Sequence, residues 1–246
     1  MLRPFQIVCL LVFSLTVALS QAQAPAPAPA VITFAFDFPT SEPEHYSIRL
    51  QSDGVARYHS SGRLSGESNG RDSQDTASHE SDSGNPDSNS SNNNNDSFDL
   101  DFTVTAETRQ KIFDLAAKAG YFKKDLASQH KGMAFTGQKT LTYKDAQRNG
   151  ESTYIYSTIP AVQELTGMLQ RLSSTLEFGH RLQYDRHYQK LALDEELKRM
   201  EEMSISNQLL EIAAIQPILD QIIADPSVIN VTRARAQRLL DKAGSH

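Results

Sequence analysis

The sequence predicts an α+β fold: an antiparallel sheet with two helices packed on one face, followed by a helical C-terminal extension. Three observations predict it. Short stretches that alternate apolar and polar residues recur from Val31 to Tyr156. Two stretches of helical period interrupt or follow them, one after Thr105 and one after Pro160. From His180 onward the strand pattern stops and charged, helix-forming residues take over.

The chain has 246 residues and a net charge of −6. It opens with Arg3, the apolar run FQIVCLLVFSLTVAL and the small residues SQAQA. That order reads as a signal peptide, residues 1–22, cleaved after Ala22 or Ala24. The apolar run is short for a bilayer span, so no stable membrane span is expected after cleavage. Cys9, the single cysteine, lies inside this segment. Ile7 and Val8 before it are not the small residues that lipidation requires. The mature chain then has no thiol for a disulfide, a nucleophile or a metal. Disulfide-free export suits a bacterial envelope, and the expected location is periplasmic or extracellular. APAPAPA follows, a Pro/Ala linker (residues 23–30) with extended polyproline II preference.

The strands come in order. VITFAFDF, Val31 to Phe38, is rich in β-branched and aromatic residues. Tyr46 to Leu50 and Val55 to Tyr58 alternate on either side of Asp53-Gly54, a hairpin signal. Then comes a tract, Ser60 to Ser97, whose only aliphatic residue beyond alanine is Leu64. It carries seven acids against two arginines, so most of the net negative charge belongs to it. So little apolar area cannot offset ordering entropy of roughly 1–2 kcal/mol per residue. The tract therefore reads as a disordered insert, residues 61–97, between two consecutive strands. NNNNDSFDLD, which starts in the tract and runs past its end, alternates oxygen ligands but lacks the glycine of a calcium loop. Phe98 to Val104 resumes the alternation.

Thr105 can cap a helix, Glu107 suits its first turn and Gly120 ends it. Lys139 to Tyr143 and Thr153 to Tyr156 form a second hairpin around DAQRNG. Pro160 starts a helix with Val162, Leu165, Met168, Leu169, Leu172 and Leu176 at helical spacing. The domain so outlined runs from 31 to 177.

Residues 178–246 form the helical region. The first predicted helix, Arg181 to Met203, bears a thin stripe of Leu182, Tyr188, Leu191, Leu197 and Met200. A second covers Asn207 to Ile215, continued or kinked at Pro217, and Asp225-Pro226 reads as the cap of a last. The isoleucines and leucines between Leu209 and Ile223 need cover, from the chain itself or from a second copy, so a homo-oligomer through these helices is an expectation.

SEPEHYSIRLQSDGVARY and FTVTAETRQKIFDLAAKAGYF, followed by a tyrosine-bearing hairpin and a helix, resemble a family of exported bacterial domains of unknown function. Pro43, Tyr46, Gly54, Tyr58 and Phe122 carry the resemblance, which spans about Phe34 to Leu176. The family often has cysteines near its Pro-x-Tyr start, and this chain has none there. The resemblance implies a fold and supplies no activity.

No phosphate loop, nucleophile elbow, HExxH or dinucleotide fingerprint is present. The acidic balance argues against nucleic acid. No cofactor is implied. His180, Tyr184 and His187 share a helix face, and His180 and His187 are the candidate metal ligands. One helix supplies only two good ligands where a structural site needs about four. Glu44-His45 is no acid–base pair if both lie on one strand, where neighbours point apart. The expected function is therefore a non-catalytic exported module contacting a protein or envelope partner. The alternatives are an enzyme, such as a hydrolase, with a site not visible in one sequence, or a metal or small-molecule sensor.

Overall fold

A computed structural model of the chain describes residues 28–62, 96–128, 132 and 134–244. The signal peptide, linker residues 23–27 and insert residues 63–95 lie outside the described residues.

Six strands form one antiparallel sheet. They are β1 (Val31–Asp37), β2 (His45–Gln51), β3 (Val55–Gly62), β4 (Asp96–Thr103), β5 (Gln138–Lys144) and β6 (Asn149–Tyr154), in spatial order β4-β3-β2-β1-β5-β6. β1 to β4 are a meander, and the β5–β6 hairpin adds on the free side of β1. The Asp53-Gly54 turn joins β2 to β3, with Gly54 at φ 98°, a conformation that costs glycine least.

The strand pattern extends further than composition suggested. β3 and β4 stay in register to Gly62 opposite Asp96, so Ser60, Ser61 and Ser97 belong to the sheet rather than to the insert. Backbone pairing needs no apolar side chain, which is why hydrophobic alternation missed it. β6 also starts earlier than the Thr153–Tyr156 expected for it. Asp145 Oδ1 accepts the backbone N–H of Gln147 and of Arg148, closing the turn so quickly that pairing resumes at Asn149.

Helix α1 (Ala106–Lys118) is capped by Thr105, whose Oγ1 accepts the N–H of Thr108. Gly120 follows its end at φ 67°, the left-handed exit the sequence implied. Helix α2 (Pro160–Tyr188) is 29 residues long and has its proline in the first turn. It runs unbroken through positions 177 and 178, where the helical region was expected to begin. Alternate strand residues point inward: Ile32, Phe34, Ile48, Leu50, Tyr58 and Leu141 are all essentially unexposed. They form one core with Ile112 and Leu115 of α1 and Leu165, Leu169 and Leu172 of α2.

The predicted helix from Arg181 to Met203 is two helices. α2 ends at Tyr188, and α3 (Leu193–Ile205) begins after a turn at Gln189–Ala192. The turn splits the expected stripe: Leu182, Leu197 and Met200 are buried, whereas Tyr188 and Leu191 are exposed. The chain reverses so that α3 lies back on α2, which a straight helix could not do. Asn207 at φ 55° then ends the helical run, and Glu211 is also left-handed at φ 58°. The expected helix at 207–215 is thereby reduced to a 3-10 turn, Ile212–Ile215. Helix α4 (Gln216–Ala224) has Pro217 in its first turn. Asp225 does not cap the last helix. Its Oδ1 accepts the N–H of Ser227, and α5 (Asn230–Ala243) starts a turn later.

Ile215, Leu219 and Ile222 are unexposed, and Leu209 and Ile218 nearly so. Gly179 of α2 makes room for them, since a Cβ there would sit 2.7 Å from Ile215 Cγ2. The surface that prompted the expectation of self-association is covered by the chain's own helices. Arg235 bridges Asp194 and Glu201, and Arg238 also holds Glu201, which clamps α5 to α3. Among the described residues no helix is long and apolar enough to cross a membrane.

Candidate functional site

Two regions concentrate polar chemistry: the solvent side of the sheet, and the end of its inner face beneath α2.

Among the described residues no helix lies on the solvent side, where intermediate or exposed residues alternate with the buried ones along the strands. Strand register sets them in cross-strand rows. One row reads Asp99, His59, Ser47, Ala35, Thr140, Thr153, and the next reads Asp101, Arg57, Arg49, Thr33, Thr142, Glu151. The middle of this face is a floor of small, mostly hydroxylated side chains. Thr140 and Thr153 share a 3.0 Å hydrogen bond between strands. Arg57 reaches Asp99 at 3.2 Å, and His59 reaches the same carboxylate at 3.3 Å. Arg57 and His59 hold the Asp99 carboxyl below its usual range. His45 Nδ1 meets Asp37 Oδ1 at 2.6 Å, also in the open. Arg49, opposite Arg57 across the strand pair, is exposed and has no ion-pair partner among the described residues.

The inner face is apolar except at one end. Register places Phe98, Ser60, Tyr46, Phe36, Lys139 and Tyr154 in a single row there. Over it α2 lays Thr166, Ser173 and Glu177, all buried. Tyr58, one row further in, donates to Glu177 Oε1 at 2.6 Å, and its oxygen lies 3.3 Å from Ser173 Oγ. Tyr154 and Thr166 share a 2.6 Å hydrogen bond. Thr166 gives its own proton to the Val162 carbonyl, so the Tyr154 phenol is the donor. Burial opposes ionisation of Glu177, but His180, Tyr58 and Ser60 outweigh it and hold the carboxyl below its ordinary range. Burial, with the nearby Glu177 charge, raises the Tyr58 phenol far above its usual value, and burial raises Tyr46 likewise. Both phenols stay protonated at neutral pH, and Tyr58 serves as a hydrogen-bond donor.

Alongside this network a cleft of about 260 Å³ separates the loop before β2 from α2 and α3. Tyr46, Ser173 and Glu177 lie on its floor, Phe178 and Arg199 on its wall, and Pro43, after a cis peptide bond, at its rim. Arg181 is committed to Glu196 and, like Arg199, lies over the Phe178 ring.

His180 and His187 are not brought together. The His180 ring stacks on Phe98 at 4.4 Å and 8°, with Nδ1 3.7 Å from Glu177 Oε2. His187 is exposed beside Tyr188 at 5.4 Å between ring centroids. Leu182 is the last buried residue of α2, so His187, two turns past His180, is beyond the part of the helix that the fold covers. Among the described residues no group of three or more His, Cys, Asp or Glu is placed to hold a metal ion. Glu177 belongs to no motif that would single it out in the sequence. Tyr58 was read as a strand residue, although a tyrosine facing a helix glutamate through an apolar core is where a buried hydrogen bond is required.

No protein-family model, no curated protein and no solved structure matches the chain.

Proposed function

We propose that this chain is an exported, non-catalytic module that contacts a protein or envelope partner through the open face of its sheet. One observation carries the reading: among the described residues, six strands display a continuous polar face that no element covers, floored by serine and threonine and centred on Arg49, which has no ion-pair partner there. Such a face offers hydroxyl donors and a guanidinium to a partner rich in oxygen acceptors or anionic groups. The secretion pattern of residues 1–22 and the resemblance to exported bacterial domains support the location.

The buried network favours binding over catalysis. Its phenols are held protonated and its one ionised carboxylate is spent on Tyr58, Ser60 and His180. A second copy is not needed to cover the C-terminal helices.

The test compares the full chain with a variant carrying Arg49→Glu and Thr33→Arg, produced in the host cell. Both side chains face solvent on β2 and β1, so melting temperature should hold. The wild type is expected in the envelope fraction, processed after Ala22 or Ala24, with recovery on isolated envelopes falling at least several-fold in the variant. Equal recovery of the two, or an unprocessed cytosolic product, overturns the reading.

A further inference from the structure

We propose that a second cleft, the one bounded by Lys139, is a binding site for a small organic carboxylate with a compact apolar body. This goes beyond the open-face reading and does not depend on it.

Lys139 is a charged residue at an inward position of the sheet. β5 alternates, and Lys139 falls on the inward side with Leu141 and Tyr143, between Phe36 and Tyr154 in register. It is 6% exposed. Its ammonium donates to three carbonyls, those of Thr136, Gly137 and Ile155, each at 3.0 Å, and lies 5.3 Å over the Phe36 ring. Those groups fix its position but carry no charge. Among the described residues no carboxylate lies within ion-pairing distance of it. Glu177, the buried charge on the facing helix, has His180 beside it and Tyr58 bonded to it. Buried charges are ordinarily paired, and this one is not. Burial accordingly pushes the Lys139 amine below its usual range.

The missing counter-charge has somewhere to sit. A cleft of about 450 Å³ opens at Lys139, lined further by Tyr154, Tyr156, Ser157, Thr166 and Gln170. That volume is within the roughly 300–1,000 Å³ of small-molecule sites. Two hydroxyls in it have protons to give. Ser157, 3% exposed, accepts the N–H of Ile159 through Oγ, and its own proton has no acceptor among the described residues. Tyr156 accepts from Gln163 Nε2 at 2.9 Å, which leaves the phenol proton free at the mouth. A fixed positive charge and two uncommitted donors suit an anion. Ile155 and Tyr156, 39% and 43% exposed, give the rest of the ligand an apolar edge. A carboxylate on a small ring or short chain fits these features together, whereas a bare oxyanion would leave the edge unused.

The experiment is calorimetric titration and thermal melting of the full mature chain with benzoate, hexanoate, inorganic phosphate and neutral benzamide. Benzoate or hexanoate is expected to bind saturably and raise the melting temperature, and benzamide and phosphate are expected to do neither. Lys139→Met should weaken carboxylate binding by at least about tenfold, because it removes the fixed positive charge at the cleft. Tyr156→Phe and Ser157→Ala, which keep the fold, should each weaken it by about threefold to tenfold. These two variants decide the matter should Lys139→Met fail to fold. The proposal is overturned by no saturable carboxylate binding, by equal binding of benzamide or of phosphate, or by unchanged affinity in Tyr156→Phe and Ser157→Ala.

Discussion

Glu177 shows how a buried charge becomes a pH-dependent contribution to stability. Its carboxyl is below the ordinary glutamate value when folded, so the folded state binds fewer protons than the unfolded chain in the acid range. The contribution is complete above about pH 4.3, the unfolded value, and is lost as pH falls below it. Glu177→Gln should cost about 1–2 kcal/mol at pH 7, because Tyr58 and Ser60 keep an acceptor but lose a charged one. The gap to wild type should close below about pH 4, as measured by denaturant melts across pH. A gap independent of pH would show that packing, not charge, sets the cost. Asp185 has the opposite sign. Burial, then repulsion from Glu196, raises it to about 6 against the opposing pull of Arg181. The folded state then binds the extra proton, and stability falls as pH rises from about 4 to about 6. Asp185→Asn should therefore be the more stable form at pH 7, by on the order of 1 kcal/mol after screening, and equal to wild type at pH 4. Of these residues the sequence exposed little. Inward positions were legible from alternation, and Lys139 stood at one of them between Gln138 and Thr140. Nothing local told that its ammonium would meet three carbonyls, because two of those come from the loop before β5 and one from beyond β6.

Elements with caps or alternation were legible, and their joints were not. Thr105 and Gly120 bounded α1 as their chemistry requires, and Pro160 opened α2. The turn at Gln189–Ala192 and the left-handed Glu211 answer to tertiary need instead. Glu211 shows why: its carboxylate accepts the Thr105 backbone N–H at 3.0 Å and the Thr105 hydroxyl at 2.6 Å. A residue more than a hundred positions away thus completes the start of α1, where the helix dipole favours a negative group. Thr105→Ala should cost about 1 kcal/mol and Glu211→Ala a similar amount. The double variant should cost less than the sum, since both changes remove the same contact. Strict additivity in urea melts would mean that Glu211 stabilises the C-terminal region independently of α1.

At the scale of the whole molecule, α2 is the spine. Its first half closes the inner face of the sheet and its second half receives the 3-10 turn, α3 and α4, so one apolar cluster runs from Ile32 to Leu239. That continuity decides what the long polar insert can do to the fold. Its two ends, Gly62 and Asp96, are cross-strand partners at the end of β3 and β4, on the sheet edge. Residues 63–95 can therefore be replaced by Asn-Gly, the two-residue turn that suits a right-twisted hairpin. Shortening the connection from 33 residues to two spans about four halvings, each worth about 0.6 kcal/mol of closure entropy. The shortened chain should be as stable as the full one or more so by up to roughly 2 kcal/mol, a rise of several degrees in a domain of this size. Amide exchange of β3 and β4 should be unchanged or slower. A lower melting temperature, with faster exchange at Tyr58 or Phe98, would mean that residues 63–95 hold the edge of the sheet in place. The charge account changes as well: the deletion removes most of the net negative charge and leaves the open face with Arg49 as before. Envelope recovery that survives the deletion but fails in the Arg49→Glu, Thr33→Arg variant would place the contact on the sheet and not on the acidic insert.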